Sequence, residues 1–188
     1  MKNDSAALDR PEVLMFLFHP RRDCSGPKPI SNEASPSVPG VADLLVPVDN
    51  GVVVGVRLHI GAHGHPNILF FHGNGEIAAD YDELGPIYNR IGINFLAADY
   101  RGYGCSTGTP TVTAMMRDCR AVFSHVTAWL DRHGFQGPLI VMGRSLGSAS
   151  AIELAHAHPG KVSGLIIESG FAYVAPLLRR LGIDPSAV

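Results

Sequence analysis

Residues 139–148 read Leu-Ile-Val-Met-Gly-Arg-Ser-Leu-Gly-Ser, an apolar run that leads into the pattern Gly143-x-Ser145-x-Gly147. A small-residue segment, Ala149 to Ala157, follows and ends just before a proline. The apolar run predicts a buried strand and the small-residue segment a helix, so the chain must turn from strand to helix at Ser145. Such a nucleophile elbow strains the serine backbone and lifts its hydroxyl above the sheet.

The neighbours of Ser145 have separate predicted tasks. Gly143 and Gly147 leave room for the strand and the helix to approach each other. The N–H of Leu146 faces the oxygen that becomes negative when a carbonyl carbon is attacked, so it is a predicted oxyanion-hole donor. A glycine-flanked serine is also common in plain turns and helix caps, and the rest of the sequence must decide between the two interpretations.

A second glycine-rich segment, Phe71-His-Gly-Asn-Gly-Glu76, follows an earlier apolar run. It is the predicted source of a second oxyanion donor, the N–H of Asn74, with a bare strand-to-helix turn as the alternative. Neither this segment nor Arg101-Gly-Tyr-Gly-Cys-Ser-Thr-Gly108 has the glycine spacing of a phosphate-binding loop.

The chain around these motifs predicts an α/β fold. From Asn67 onward, short apolar runs alternate with longer helical ones, which is typical of a parallel sheet with helices on both faces. An N-terminal antiparallel hairpin is predicted around Asn50-Gly51. The predicted parallel strands are Ile68–Phe71, Ile93–Ala98, Leu139–Met142 and Leu165–Ile167, and the hairpin strands are Val41–Val48 and Val52–Ile60.

Two helical stripes lie between the predicted parallel strands. The first, Ile77 to Ile91, should kink or divide at Gly85-Pro86. The second, Met115 to Leu130, contains methionine and aromatic residues that could line a ligand site, but a helix face packed on a sheet predicts the same spacing. Ahead of the hairpin, Val13 to Phe18 is long enough for one more strand, and a Ser/Pro/Gly-rich connection follows from Ser25 to Gly40.

Composition excludes several functions. The 188 residues are 46% apolar, and 15 Lys and Arg against 17 Asp and Glu leave a net charge of -2 without a basic block, so nucleic acid is not an expected partner. No apolar run approaches the roughly 20 residues of a membrane helix, and the acidic start does not resemble a secretory signal. Cys24, Cys105 and Cys119 are scattered without a C-x-x-C pair, which favours a reducing, cytoplasmic setting without a metal.

In these motifs and their order, the sequence resembles the α/β-hydrolase superfamily, and within it the serine hydrolases of the Bem46 and ABHD13/ABHD17-like group. The resemblance covers roughly residues 41–181. It implies Ser145 as nucleophile, an oxyanion hole formed by Asn74 and Leu146, an ester, thioester or amide substrate and no cofactor. The matching segments are Phe71–Glu76, Asp99–Gly108, Gly143–Ser148 and Ile167–Phe171.

The resemblance also suggests supporting roles for other residues. His72, beside Gly73, could be the catalytic base, but in this family the histidine of the His-Gly pair generally supports the loop. Asp99 and Arg101 could bind substrate or lock the glycine-rich turn, and locking is favoured. We expect Asp118 to accept hydrogen bonds from nearby backbone donors.

The catalytic base and acid are not found after Ser145. In this fold the triad order is Ser, then Asp or Glu, then His. His156 and His158 are the only later histidines, and an 11-residue helix would carry His156 about 16 Å from Ser145, beyond hydrogen-bond reach. Glu168 or Asp184 could be the acid, although a structural role for Glu168 is favoured. We therefore expect further C-terminal strands, with the Asp and His, to be missing.

Three functional hypotheses follow. The first is a serine hydrolase that forms an acyl-enzyme at Ser145, with low activity in this chain. The second is a non-catalytic scaffold or interaction protein, and the third an incomplete gene product. The expected organisation is an N-terminal segment (1–24), the connection (25–40) and an incomplete hydrolase domain (41–188). The last strand should form an unprotected edge that invites self-association.

Overall fold

The computed structural model describes residues 5–31, 33–34, 36–171, 173, 175–176, 179 and 182. The strands in this part of the chain are β1 (Pro29–Ile30), β2 (Gly40–Asp49), β3 (Val52–Ile60), β4 (Asn67–Phe71), β5 (Asn94–Ala98), β6 (Leu139–Arg144) and β7 (Gly164–Glu168). The α-helices are α1 (Pro11–Leu17), α2 (Gly85–Arg90), α3 (Val112–Arg132) and α4 (Gly147–Ala157), with short 3-10 helices at Ser5–Leu8 and Ala78–Tyr81.

One sheet with the strand order β1-β2-β3-β5-β4-β6-β7 organises the described residues. Strands β2 and β3 form the predicted antiparallel hairpin, and Gly51 takes the positive φ (71°) that its turn needs. Strands β5, β4, β6 and β7 are parallel neighbours, which confirms the four predicted parallel strands. Their carboxyl ends therefore lie side by side along one end of the sheet, where Phe71 is paired with both Ala98 and Gly143.

Both faces of the sheet are covered, as the apolar runs predicted. Alternate residues of β4 point to opposite sides, so Leu69 and Phe71 join the core beneath α1, α3 and α4. Ile68 and Phe70 join a smaller core on the other face, where Tyr81 and Tyr88 pack. All four side chains are at most 2% exposed.

The two helical stripes form core faces. Helix α3 begins where the Thr111 hydroxyl accepts a hydrogen bond from Ala114 N at 3.0 Å, and its Met115, Phe123 and Trp129 are buried. The other stripe is divided as predicted, because α2 starts at Gly85-Pro86 after a separate 3-10 turn.

The predicted strand at Val13–Phe18 is wrong, because this segment lies mostly in helix α1. Pro11 begins the helix, and Glu12 in its first turn faces the positive end of the helix dipole. Val13 and Leu17 are buried four residues apart, while Met15 and Phe16 are 64% and 40% exposed. The length of an apolar run does not distinguish strand from helix, whereas the proline at the start of the run favours a helix.

The segment after α1 is fastened to the glycine-rich turn that follows β5. Cys24 and Cys105, whose scattered positions favoured a reducing setting, are joined in a disulfide with Cα atoms 4.9 Å apart. The scattered spacing of the cysteines was therefore a poor guide to their pairing, and the cytoplasmic location stays a prediction without that support. The described residues of the connection from Ser25 to Gly40 lie mostly at the surface and contribute β1.

Candidate active site

Ser145 occupies the turn between β6 and α4. Its φ of 49° lies in the left-handed region that serine rarely adopts. The Ser145 N–H donates to the carbonyl oxygen of Glu168 at 2.9 Å, which ties the turn to the end of β7. The side chain is exposed, and its hydroxyl makes no hydrogen bond to any residue described by the structure. Ser145 therefore combines a strained backbone with an exposed hydroxyl that has no hydrogen-bond partner among the described residues, as the sequence motif predicts.

Gly143 and Gly147 are required by close backbone contacts. A Cβ on Gly143 would lie 2.3 Å from the carbonyl oxygen of Gly147. A Cβ on Gly147 would lie 2.0 Å from the carbonyl oxygen of Phe71. Any side chain at either position would therefore force β6, α4 and the end of β4 apart.

The predicted oxyanion loop, His72–Glu76, called the oxyanion loop below, follows β4 and lies beside this turn. Its Gly75 has a φ of 77°, and its Gly73 N–H donates to the Glu76 carboxylate at 2.7 Å. Among the described residues, neither the Asn74 N–H nor the Leu146 N–H has a hydrogen-bond acceptor. The two predicted donors are thus unoccupied, and their assignment to an oxyanion hole stays a prediction.

An ion-pair bridge that the sequence did not reveal links the oxyanion loop to the elbow. Arg144, directly before Ser145, pairs with Glu76 and lies 3.2 Å from the carboxylate of Glu168. Tyr81 donates its hydroxyl hydrogen to Glu76 at 2.7 Å, and burial raises the pKa of that phenol, so it remains a donor. The ends of β4, β6 and β7 are therefore cross-linked by side chains.

His72 is fully buried and both of its ring nitrogens have other partners. Nδ1 lies 2.8 Å from the carbonyl oxygen of Gly73, and Nε2 lies 3.2 Å from Asp99 Oδ1. The same Asp99 oxygen accepts from Ala78 N at 2.8 Å, and Tyr100 donates to the His72 carbonyl oxygen at 2.6 Å. These contacts favour loop support over proton transfer as the task of His72.

The later histidines lie at the far end of α4. His156 is exposed in its last turn. His158 is half-buried and stacks on Phe123 with ring centroids 4.5 Å apart. Within the described part of the chain, no imidazole forms a hydrogen bond with Ser145.

The acidic candidates also have other partners. The Glu168 side chain is half exposed and pairs with Arg144, while Asp184 lies outside the described residues. Asp118 does not bind backbone donors as expected. Instead, its carboxylate accepts two hydrogen bonds from the Arg101 guanidinium, at 2.5 and 2.9 Å, and these bonds raise the pKa of Arg101. These bonds hold the Arg101 side chain against α3, which favours the interpretation that Arg101 locks the glycine-rich turn.

Alternative chemistries find less support in the described residues. The Cys119 thiol is buried, which raises its pKa to about 12 and suppresses the reactive thiolate. No group of three His, Cys, Asp or Glu side chains is placed to hold a metal ion in the ranges that the structure describes. A cavity of about 280 Å³ lies beside Leu139, at the opposite end of β6 from Ser145, and contains no predicted site residue.

None of the described helices is long and apolar enough to cross a bilayer.

Comparison with known proteins places the site in a family context. Residues 62–183 match the family described as serine aminopeptidase, S33. The chain is 34% identical over 110 residues to the α/β hydrolase domain-containing protein WAV2 of Arabidopsis thaliana, covering 58% of this chain and 35% of that protein. It is 33% identical over 118 residues to lysophosphatidylserine lipase ABHD12 of Rattus norvegicus, covering 60% and 29%.

A longer match is an uncharacterised protein of Mycobacterium tuberculosis, 29% identical over 190 residues and covering 92% of this chain. That match covers 64% of the mycobacterial protein, so the chain spans less than two thirds of each of these three relatives.

Solved structures share the fold. A CIB-like hydrolase from Thermoplasma acidophilum superposes with a TM-score of 0.55 at 26% identity, covering 73% of this chain and 66% of that one. Est1E of Butyrivibrio proteoclasticus, solved with ferulic acid bound, gives a TM-score of 0.61 at 21% identity, covering 73% of this chain and 56% of that one. At that identity the Est1E match shows the fold alone.

Proposed function

This chain belongs to the serine aminopeptidase S33 family, in the Bem46 and ABHD group of α/β-hydrolases, and from that premise we propose that it carries the nucleophile and oxyanion hole of a serine hydrolase. The single observation that carries the proposal is Ser145, exposed at φ 49° on the strand-to-helix turn. A serine in this conformation costs stability, and catalysis is the use that such strain serves at an elbow.

The proposed reaction forms an acyl-enzyme. Ser145 Oγ attacks the substrate carbonyl carbon while a base removes the hydroxyl proton, and the carbonyl oxygen becomes negative. The N–H groups of Asn74 and Leu146, together with the N-terminus of α4, stabilise that charge. The bond to the alcohol or thiol leaving group then breaks as the base returns its proton, and water releases the acid by the same steps.

The substrate class we propose is an ester or thioester. The family description names aminopeptidases, whereas the relative ABHD12 is named as a lipase of lysophosphatidylserine, which is an ester. The lipase shares 33% identity with this chain over 118 residues, and this likeness supports ester cleavage over amide cleavage.

We further propose that the base and its acid partner come from outside the described residues. His72 is fully engaged by Gly73 and Asp99, and His156 and His158 lie at the far end of α4. Removing the catalytic residues of such a triad leaves about 10³- to 10⁴-fold acceleration over water, so the 188-residue chain should be slow.

A fluorophosphonate probe tests the proposal. The 188-residue chain and a version that includes any residues encoded after Val188 are compared, each with Ser145→Ala and with Ser124→Ala, which removes an exposed serine hydroxyl on α3. We expect rapid labelling only in the longer version, its loss in Ser145→Ala and its retention in Ser124→Ala. Rapid labelling of the 188-residue chain would contradict the external base.

A non-catalytic scaffold is the second candidate, because β7 presents an apolar edge that could hold a partner. Leu165, Ile166 and Ile167 are 45%, 41% and 40% exposed. If neither version reacts with the probe, the hydrolase proposal fails and the scaffold is favoured.

A further inference from the structure

The segment from Phe16 to Cys24, here called the strap, lies against the oxyanion loop through the Asn74 side chain. Asn74 Oδ1 accepts hydrogen bonds from His19 N at 2.8 Å and from the Tyr103 hydroxyl at 3.0 Å. Asn74 Nδ2 lies 2.8 Å from His19 Nδ1 and 3.3 Å from the Phe16 carbonyl oxygen. Both lone pairs and both N–H groups of the amide are thus used within one small cluster.

These contacts fix the orientation of the amide and the tautomer of His19. The His19 backbone N–H can only donate, so it must face Oδ1 of Asn74 and not Nδ2. Nδ2 then faces His19 Nδ1, and because an amide nitrogen can only donate, Nδ1 must accept. The cluster therefore requires the His19 tautomer whose proton is on Nε2.

Tyr103 completes the cluster from the glycine-rich turn. It is fully buried, and burial raises the pKa of its phenol to about 12, so the hydroxyl keeps the hydrogen that it donates to Asn74. Its oxygen also lies 2.8 Å from His19 N and shares that donor with Asn74 Oδ1.

The oxyanion loop needs such an external hold. Asn74 lies between Gly73 and Gly75, which lack side chains that restrict the backbone, so hydrogen bonds must hold the loop. His72 Nδ1 holds the Gly73 carbonyl oxygen on one side of Asn74, and the strap holds the Asn74 side chain. An oxyanion donor is effective only when its direction is fixed before the charge develops. The side-chain hydrogen bonds of Asn74 are contacts that can fix it.

The strap is itself well anchored, so it can serve as a rigid reference. Leu17 and Phe18 are buried in the core at one end of it. Farther along, the Arg21 carbonyl oxygen accepts from Gly104 N at 2.9 Å, and Arg21 also pairs with Asp80. These contacts hold His19 against the loop at a defined position.

We propose that His19 is a positioning residue of the hydrolase site, which acts through the Asn74 side chain to aim the Asn74 N–H into the oxyanion hole. The strap thereby forms part of the active site, although it precedes the loop by about 55 residues in the chain. This inference rests on the proposed function, so its test includes a measurement that does not require activity.

The first measurement uses the version of the protein that the fluorophosphonate probe labels. It records the rate of p-nitrophenyl acetate hydrolysis and the rate of labelling. His19→Leu removes the ring acceptor, and we expect kcat and the labelling rate to fall about tenfold or more with KM unchanged, since one misaimed oxyanion donor costs up to about 10²- to 10³-fold. His19→Asn offers a side-chain oxygen near the place of Nδ1 and should recover to within about threefold of the parent protein.

His156→Leu, which alters an exposed histidine on α4, is the matched control and should leave both rates unchanged. A merely structural His19 would lower the melting temperature without changing kcat at a temperature where the protein is folded. Unchanged kcat in folded His19→Leu would overturn the proposal.

The second measurement is NMR of the 188-residue chain, which decides the matter even if no version reacts with the probe. The ¹⁵N shifts of His19 should show an unprotonated Nδ1 and a protonated Nε2. In His19→Leu the NMR order parameter of the Asn74 backbone amide should fall from about 0.85 toward about 0.6, because its direction is no longer held. A proton on Nδ1, or an unchanged order parameter at Asn74, would contradict the proposed positioning.

Discussion

Ser145 stores strain in its backbone, and removing that strain should stabilise the protein. A left-handed conformation costs an L-residue about 1–2 kcal/mol, while glycine adopts it freely but loses more entropy on folding. We expect Ser145→Gly to be more stable than Ser145→Ala by about 0.5–1 kcal/mol in urea unfolding, although both abolish labelling. Equal or lower stability of the glycine variant would show that the turn is not strained.

Two other serines are controls for this prediction. Ser169 has the same φ of 49°, so Ser169→Gly should also stabilise the protein but leave the nucleophile in place. Ser124 lies in helix α3, where the change to glycine should destabilise by roughly 0.5–1 kcal/mol. Opposite signs at Ser169 and Ser124 would tie the effect to backbone conformation.

At the residue scale, the sequence predicted those parts of the site that depend on local spacing. Gly143, Ser145 and Gly147 lie within five positions, and their contacts follow from one turn of strand into helix. The Arg144–Glu76 pair and the His19–Asn74 contact join residues 68 and 55 positions apart. No local pattern in a single sequence encodes such pairings, so only the folded structure could reveal them.

At the scale of elements, β7 is one of the two edge strands of the sheet that the described residues form. It pairs with β6 on one side, and Leu165, Ile166 and Ile167 remain 40–45% exposed. Unpaired backbone groups beside exposed apolar side chains favour pairing with a second copy of the chain. We expect the sedimentation coefficient of the 188-residue chain to rise with protein concentration.

A charge on this edge should oppose that association. Ile166→Lys should weaken dimerisation about tenfold or more, since a lysine in the new interface would lose its hydration. Ile91→Lys, which adds the same charge at a 67% exposed site outside the sheet, is the matched control. Unchanged sedimentation of Ile166→Lys would show that the association, if present, uses another surface.

Over the whole molecule, apolar periodicity was enough to predict the α/β class, the hairpin and the four parallel strands. It was enough because a strand covered on both faces is buried throughout, as β4 and β5 are, and both strands are apolar after their first residue, an asparagine. It was not enough for Val13–Phe18, because the length of this apolar run fits a helix and a strand alike and only the proline ahead of it favours the helix. The pairing of Cys24 with Cys105 likewise depends on where the strap lies, which no periodicity encodes.

The stability of the whole molecule should fall at mildly acidic pH because of His59. This side chain is 1% exposed in β3, under the start of α2, and burial lowers its pKa although Asp82, 3.3 Å from Nε2, opposes the shift. The unfolded chain, with a histidine pKa of about 6.5, then binds a proton more readily than the folded one. Stability is therefore complete above that pH and is lost as the pH falls toward the lower pKa of the folded state. We expect the free energy of unfolding, measured in urea between pH 7 and pH 5, to fall by at most about 1.4 kcal/mol per pH unit because of His59. This contribution should be absent in His59→Gln and retained in His156→Gln. An equal slope in His59→Gln would assign the acid sensitivity to other groups.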